Sequence, residues 1–107
     1  MTFKLQIITP ETTVFEDDVD SVTLPGTAGS MGILAGHAPI VAALDIGVLK
    51  CVQSGLPKYY VIGNGMLSVE PHATIVMVEI VITAVDAADA AEKLEILRQE
   101  QKSLFIA

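Results

Sequence analysis

Several residue types on which whole protein classes depend are scarce in this sequence. In 107 residues there are one cysteine, no tryptophan, five prolines and eight glycines without a repeating period. The single Cys51 can form no internal disulfide bond, which excludes a disulfide framework and fits a reducing compartment. The glycine pattern excludes a collagen-like chain. Because the N-terminus has no basic segment followed by a long apolar run, we expect no signal peptide.

Positive charge is also scarce, since six basic residues stand against 13 acidic ones and the net charge is −7. Nucleic acids and anionic lipid headgroups both require a basic footprint, so this balance argues against either as a direct partner. The longest apolar stretch, residues 73–85, contains polar residues and is too short to span a bilayer. We therefore expect a chain that is soluble or that reaches a membrane only through a partner.

Apolar residues, by contrast, are abundant, with 51% hydrophobic content and a mean hydropathy of +0.57. Such a composition excludes disorder as the main state, because buried apolar surface can offset the entropy lost on ordering. A chain of this length has room for one core, and we expect a single domain of ordinary size. The hydropathy is high for so small a chain, so we expect part of the apolar surface to contact another protein.

The residue pattern divides the chain into two regions. Residues 1–84 hold short runs separated by turn signals at spacings that predict an antiparallel β-sandwich or barrel, and Asn64-Gly65 predicts a tight hairpin turn. Residues 86–106 contain no Gly or Pro and predict one helix with Asp86 as its N-cap. We thus predict a β-sandwich domain over 1–84 and a C-terminal helix over 85–107. The expected apolar stripe of that helix comprises Ala87, Ala90, Ala91, Leu94, Leu97, Leu104 and Phe105.

The sequence contains few residues that could support catalysis or bind a metal. Cys51 could act as a thiol nucleophile if His37 or His72 lay beside it, but its apolar strand favours a core thiol. The two histidines lack the spacing of a zinc site, and the acidic run 16–20 lacks the glycine and distal glutamate of a calcium loop. The glycine-rich stretch 26–32 is not followed by the Lys-Ser/Thr pair of a phosphate-binding loop.

The segment of residues 29–40 carries a more specific pattern than these candidate sites. Its glycines, histidine and proline impose a particular backbone path between two apolar strands. Composition alone favours a surface loop. The order Gly29-Ser30-Met31-Gly32-Ile33, continued by Gly36-His37-Ala38-Pro39-Ile40, closely resembles the hallmark of the ε subunit of F-type ATP synthases, named δ in mitochondria. The resemblance continues in order through residues 5–11, 14–24, 47–50 and 64–71, with Asn64 and Ser68 as departures.

The resemblance implies two five-stranded sheets packed face to face and followed by helix. It also implies a non-catalytic subunit, without cofactor or metal, that sits on the γ subunit at the foot of the rotating central stalk and against the ring of c subunits. There it would help to transmit ion-driven rotation to the catalytic head, on the cytoplasmic side of a bacterial inner membrane or the equivalent face of an organelle membrane. The residues implied at the γ and c-ring interface are Thr27, Ala28, Gly29, Ser30, Met31, Gly32, His37, Ala38 and Pro39.

Within this interface we expect Gly32→Val to damage docking by forcing a backbone rearrangement. Two departures from the family pattern concern the C-terminal region. Many members carry a second, inhibitory helix, and in this sequence we expect only the first. Some bacterial members bind ATP through a motif I/L-D-x-x-R-A, which here reads Val85-Asp86-Ala87-Ala88-Asp89-Ala90. Because Asp89 places a negative charge where phosphates would sit, we predict no useful affinity for ATP.

Two other functions compete with this hypothesis. A free-standing β-sandwich module could use the surface of residues 26–39 to bind a small ligand or another protein, and it would be a monomer without affinity for γ. A thiol hydrolase based on Cys51 would lose its activity in a Cys51→Ser variant. These alternatives predict different partners, so a binding measurement with the γ subunit separates them.

Overall fold

Ten short strands and one helix make up the computed structural model, which describes residues 1–105 and the side chains up to Lys102. Most of the connections between strands contain Gly, Pro, Asp or Asn, as the turn signals predicted. The elements in chain order are β1 (Phe3–Ile8), β2 (Thr13–Val19), β3 (Ser21–Gly26), β4 (Gly29–Leu34), β5 (Ile40–Leu44), β6 (Gly47–Gln53), β7 (Leu56–Ile62), β8 (Gly65–Val69), β9 (Thr74–Val78), β10 (Val81–Ala84) and α1 (Ala87–Phe105).

The strands form two layers of five. One layer has the order β10-β7-β6-β3-β4, and the other has the order β5-β8-β9-β1-β2. The layers are joined at one corner, where Gly26 of β3 pairs with Leu44 of β5. The mainly β fold of two sheets followed by one C-terminal helix is therefore confirmed.

One strand pair departs from the predicted antiparallel pattern. β1 and β9 run parallel, with Leu5 opposite Thr74 and Ile7 opposite Val76. Parallel neighbours cannot be joined by a tight turn and need a long connection, which the seven strands from β2 to β8 supply here. Alternation of side chains along a strand is the same for both pairing directions, so the sequence pattern did not reveal this pair.

The core lies between the two layers and is built from alternate residues of nearly every strand. Leu5 and Ile7 of β1, Leu67 of β8, Val76 of β9 and Leu49 of β6 have no exposed surface. Burying a side chain of this size contributes about 1.5–3 kcal/mol of transfer free energy. The strands therefore associate because each one contributes its apolar face to a shared interior.

The Asn64-Gly65 signal does not form the predicted hairpin. β7 ends at Ile62 in one layer and β8 begins at Gly65 in the other, so the short segment between them carries the chain across the sandwich. Gly65 does not have a positive φ, in contrast to Ser54 and Gly55, which form the β6–β7 hairpin turn with φ values of 52° and 77°. The prediction failed because a turn signal specifies a local bend and not which strands pair afterwards.

Helix α1 packs on the outside of the β6-β7-β10 layer. Ala90 and Leu97 are buried against Val61 and Ala84, in a cluster separate from the sandwich core. The predicted N-cap is present, since Asp86 Oδ1 accepts the Asp89 N–H at 2.8 Å.

Part of the predicted helix stripe is wrong. Ala87 and Ala91 are exposed, because the contact with the layer is narrower than the apolar stripe. The side chains of Leu104 and Phe105, and residues 106–107, lie outside the described part of the chain. The domain boundary after residue 84 stays a prediction.

Candidate interaction site

The residues predicted at the γ and c-ring interface lie in two groups at opposite ends of β4. Thr27 and Ala28 form the two-residue turn of the β3–β4 hairpin, and Gly29 to Gly32 follow in the strand. His37 to Pro39 lie in the loop after β4. A six-residue strand is about 20 Å long, so the structure keeps the hairpin turn of Thr27 and Ala28 apart from the His37 loop and does not join all the predicted residues in one cluster.

The hairpin group is exposed and close to β5. Residues 27–30 are all exposed, and the Thr27 N–H donates to the Ala43 carbonyl at 3.1 Å. A groove of about 330 Å³ runs between the hairpin and the Ala42 and Ala43 side of β5. Met31 differs from its neighbours because its partly buried side chain packs on the sandwich core. The hairpin therefore presents backbone groups and small side chains to a partner, and the packing of Met31 on the core anchors it to the sandwich.

The His37 group forms a turn held by two local hydrogen bonds. The His37 N–H donates to the Leu34 carbonyl at 3.2 Å, and the ring Nδ1 lies 2.7 Å from the Ala38 carbonyl, to which an Nδ1–H donates. Gly36 has a φ of 80°, a conformation that favours glycine. A cavity of about 290 Å³ lies beside this turn and is also lined by His72. The imidazole is thus fixed at the surface, in position to contact another chain.

The expected backbone effect at Gly32 is wrong. Gly32 does not have a positive φ, and a Cβ added there would meet no atom within 4 Å. The position lies on the exposed face of an edge strand, so a side chain can be accommodated without moving the backbone. Any effect of Gly32 on docking must come from the surface that it presents to a partner.

A second surface, which was not predicted from the sequence, lies on the outside of the β5-β8-β9-β1 sheet. Two rows of side chains cross these four strands in register. We call this surface the apolar outer face, and its rows consist of Ala43, Met66, Met77 and Ile8, and of Val41, Ser68, Ile75 and Gln6.

None of the residues of the apolar outer face is charged, although the chain carries a net charge of −7. Val41 is 70% exposed, and Met66 and Met77 are each 40% exposed. An open cavity of about 480 Å³ adjoins the face beside Ile8 and Met77. A detectable signal was present in the sequence, because β5, β8 and β9 have apolar residues on both faces rather than on one.

Cys51 lies in the sandwich core and has no exposed surface. Burial raises the pKa of its thiol, which is opposite to what a nucleophilic thiolate needs. Its strand neighbours are Val22 and Lys58. The geometry thus gives no support to the thiol hydrolase hypothesis.

Asp89, which stands at the arginine position of the ATP motif, is already engaged in local contacts. Its Oδ2 accepts the Val85 N–H at 2.9 Å and lies 3.0 Å from Lys93 Nζ. The Val85 N–H, and after it Lys93, lower the pKa of this carboxyl below its usual value. Lys93 Nζ also donates to the Thr83 carbonyl at 2.9 Å. The Asp89 carboxylate therefore occupies the place where a phosphate-binding arginine would be, and the nearby Lys93 ammonium is already bound to Asp89 and to the Thr83 carbonyl.

From this arrangement we predict that calorimetric titration of the chain with Mg-ATP shows no binding at micromolar concentrations. The physical reason is that the ionised Asp89 repels phosphate and already engages Lys93. The comparison variant is Asp89→Arg, which restores the motif residue and reverses the local charge. Micromolar binding by the unmodified chain would contradict the prediction.

A family model described as "ATP synthase, Delta/Epsilon chain, beta-sandwich domain" matches residues 2–84 of this sequence. The chain belongs to the ATP synthase delta/epsilon chain family. An ATP synthase epsilon chain of Pelotomaculum thermopropionicum is 33% identical over 99 residues, which cover 92% of this chain and 69% of that protein.

Two solved structures share the fold of this family member. A chain of the Euglena gracilis mitochondrial ATP synthase, in an assembly of OSCP, F1 and c-ring, matches with a TM-score of 0.73 at 24% identity and covers 92% of this chain and 64% of that chain. A chain from the central stalk and c-ring of the Tetrahymena thermophila enzyme matches with a TM-score of 0.65 at 12% identity and covers 94% and 91%. At these identities the likeness concerns the fold.

This chain spans about two-thirds of the length of the Pelotomaculum relative and of the Euglena chain. Among residues 1–105, no helix combines the length and the apolarity that crossing a bilayer requires.

Proposed function

We propose that this chain is a non-catalytic rotor subunit of an F-type ATP synthase that links the γ subunit to the c-ring and couples ion-driven rotation to ATP synthesis. The observation that carries the proposal is the apolar outer face, an uncharged exposed surface on a member of the ATP synthase delta/epsilon chain family. As part of such an assembly the chain would be peripheral to the membrane.

The γ subunit is the partner that we place on the apolar outer face. Four strands at a spacing of about 4.8 Å make this face about 15–20 Å wide. Monomeric proteins rarely expose contiguous apolar patches larger than a few hundred square ångströms, and larger ones usually mark interfaces. A sheet surface is also stiff, since every strand in it is hydrogen-bonded to its neighbours, and stiffness is what transmission of torque requires.

The c-ring is the partner that we place against the two ends of β4. The hairpin group, Thr27 to Ser30, and the His37 group are both exposed, and both are held in shape by backbone hydrogen bonds. The net charge of −7 favours partner loops that carry basic residues, because complementary charges orient two proteins as they associate. In this proposal the sandwich contacts γ with the apolar outer face and contacts the ring with the residues at both ends of β4.

The direct test is affinity capture of the γ subunit from the same organism by the full chain. We expect stable co-purification at equal stoichiometry. A free-standing module would remain a monomer that does not retain γ. A monodisperse chain that fails to bind correctly folded γ would overturn the proposal in favour of that alternative.

A separate prediction concerns the His37 group. Replacement of residues 37–39 by Gly-Ser-Gly removes the imidazole and the rigid proline but leaves the apolar outer face intact. We expect the complex to assemble with its catalytic head, while ion pumping driven by ATP hydrolysis falls severalfold. The measurement is pumping per ATP hydrolysed in reconstituted vesicles. Full coupling, or loss of head assembly, would contradict the placement of this segment at the ring.

A further inference from the structure

The outer strands of the two layers differ in how their free edges are protected. The edge strand β2 carries acidic residues at 16–18, and the Gln53 side chain donates to the Asp18 carbonyl at 3.1 Å. β10 is only four residues long. The edge of β5 is partly covered, because the β3–β4 turn donates an N–H to the Ala43 carbonyl. Edge strands are usually protected against pairing with another strand by charged residues, by a short length or by a covering segment.

Strand β4 has none of these protections. Its six residues, Gly29–Leu34, include no charged residue and no proline, and its pairing with β3 has no register shift. In the described part of the chain β3 is its sole strand partner. The strand therefore presents one straight, uncharged edge on the outside of the sandwich.

The direction of the backbone groups on this edge follows from Pro25. The Pro25 carbonyl accepts the Asp45 N–H at 2.8 Å, so it points away from β4. Pairs in an antiparallel ladder alternate between hydrogen-bonded and non-hydrogen-bonded, and Pro25 is paired with Ser30. The N–H groups of Ser30, Gly32 and Leu34 consequently point away from β3.

The open part of the edge has a defined end. The Leu34 carbonyl already accepts the His37 N–H, which closes the turn after β4. Between Ser30 and Leu34 the exposed side chains are small, apart from Leu34 itself. Backbone groups in such a row are the donors and acceptors that an added strand requires.

We propose that the free edge of β4 receives an extended segment of the γ subunit, which adds a sixth strand to this layer. The inference rests on the proposed function, since γ is the partner placed on the apolar outer face. The two surfaces are continuous, because the groove of about 330 Å³ beside the hairpin is bounded by Ala43, which belongs to that face. The added segment is uncharged at the contact, to match β4.

A pair of variants at one position tests the inference. Gly32→Pro removes the outward N–H and fills its place with the proline ring, without breaking the β3–β4 ladder. Gly32→Ala retains the N–H and adds a Cβ that meets no atom within 4 Å. We expect Gly32→Pro to bind γ about 10-fold more weakly than Gly32→Ala, because the proline variant loses one backbone hydrogen bond in the interface. Thermal unfolding of the free variants verifies that both fold.

Hydrogen exchange on the unmodified chain provides a test that does not depend on a variant. In the complex with γ, we expect the amides of Gly32 and Leu34 to exchange at least 10-fold more slowly than in the free chain. If γ binds while these amides remain unprotected, or while the Pro and Ala variants bind equally, strand addition is wrong and the proposed function stands. If γ does not bind the unmodified chain, the proposed function itself fails and this inference fails with it.

Discussion

Gly65→Ala is expected to lower the free energy of unfolding by about 3 kcal/mol, the upper range for inserting a group into a packed interior. The added Cβ would overlap the Met77 carbonyl oxygen and lie 2.7 Å from a methyl group of Val78. Both neighbours belong to β9, which pairs with β8 directly at this point. The strands would have to separate, and a loss of this size is a large fraction of the 5–15 kcal/mol that stabilises an ordinary domain.

Gly32→Ala is the matched control for this prediction. It is the same substitution on an exposed strand, where the new Cβ meets no atom within 4 Å. We expect it to change stability by less than about 1 kcal/mol, and in the stabilising direction, because alanine restricts the unfolded chain. Urea unfolding followed by circular dichroism measures both variants. Equal midpoints for the two would show that the close approach of β8 and β9 is not needed for stability.

Val41→Asp is expected to weaken binding of the γ subunit by about 100-fold, a loss typical of a central interface residue. Val41 is 70% exposed in the free chain and lies in the second row of the apolar outer face, beside Ser68. In the complex the new carboxylate would be removed from water without a partner, which is the costly part of the change. In the free chain it stays in solvent, so the fold is preserved.

The control for the second prediction is Leu56→Asp. Leu56 is 69% exposed, in the β6–β7 hairpin of the other layer, so the change of charge and the exposure are closely matched. We expect this variant to bind γ within about threefold of the unmodified chain, since exposed charges act weakly at a distance in physiological salt. Calorimetry with purified γ measures both dissociation constants. Equal weakening by the two variants would place the γ interface elsewhere.

Much of the fold was predictable because it depends on local chemistry. Alternation of apolar residues and frequent turn signals predicted the strands, and Asp86 marked the start of α1 through a cap that the structure confirms. The segment of residues 29–40 was singled out by residue types that restrict the backbone. Its interface role stays a prediction, since the structure shows where these residues lie and not what they bind.

The failures share one cause, which is that they concern neighbours distant in the chain. The Asn64-Gly65 pattern predicts a hairpin, whereas Gly65 is needed because the β9 backbone passes within contact distance. Gly32 was expected to be backbone-restricted and has open space around it. The environment of Gly65 is set by a strand distant in the chain, and that of Gly32 by the open edge of β4. No local pattern describes either environment.

The sequence by itself determined which segments are extended, where the helix begins and that the chain has more apolar surface than its core needs. Those properties follow from the conformational preferences and polarity of residues close in the chain. Only the tertiary structure decided that Met66 and Met77 lie side by side with Val41 on one outer face, and that β4 is left with a free edge. Strand order and register bring together residues that are far apart in sequence, so these surfaces exist only once the two layers have formed.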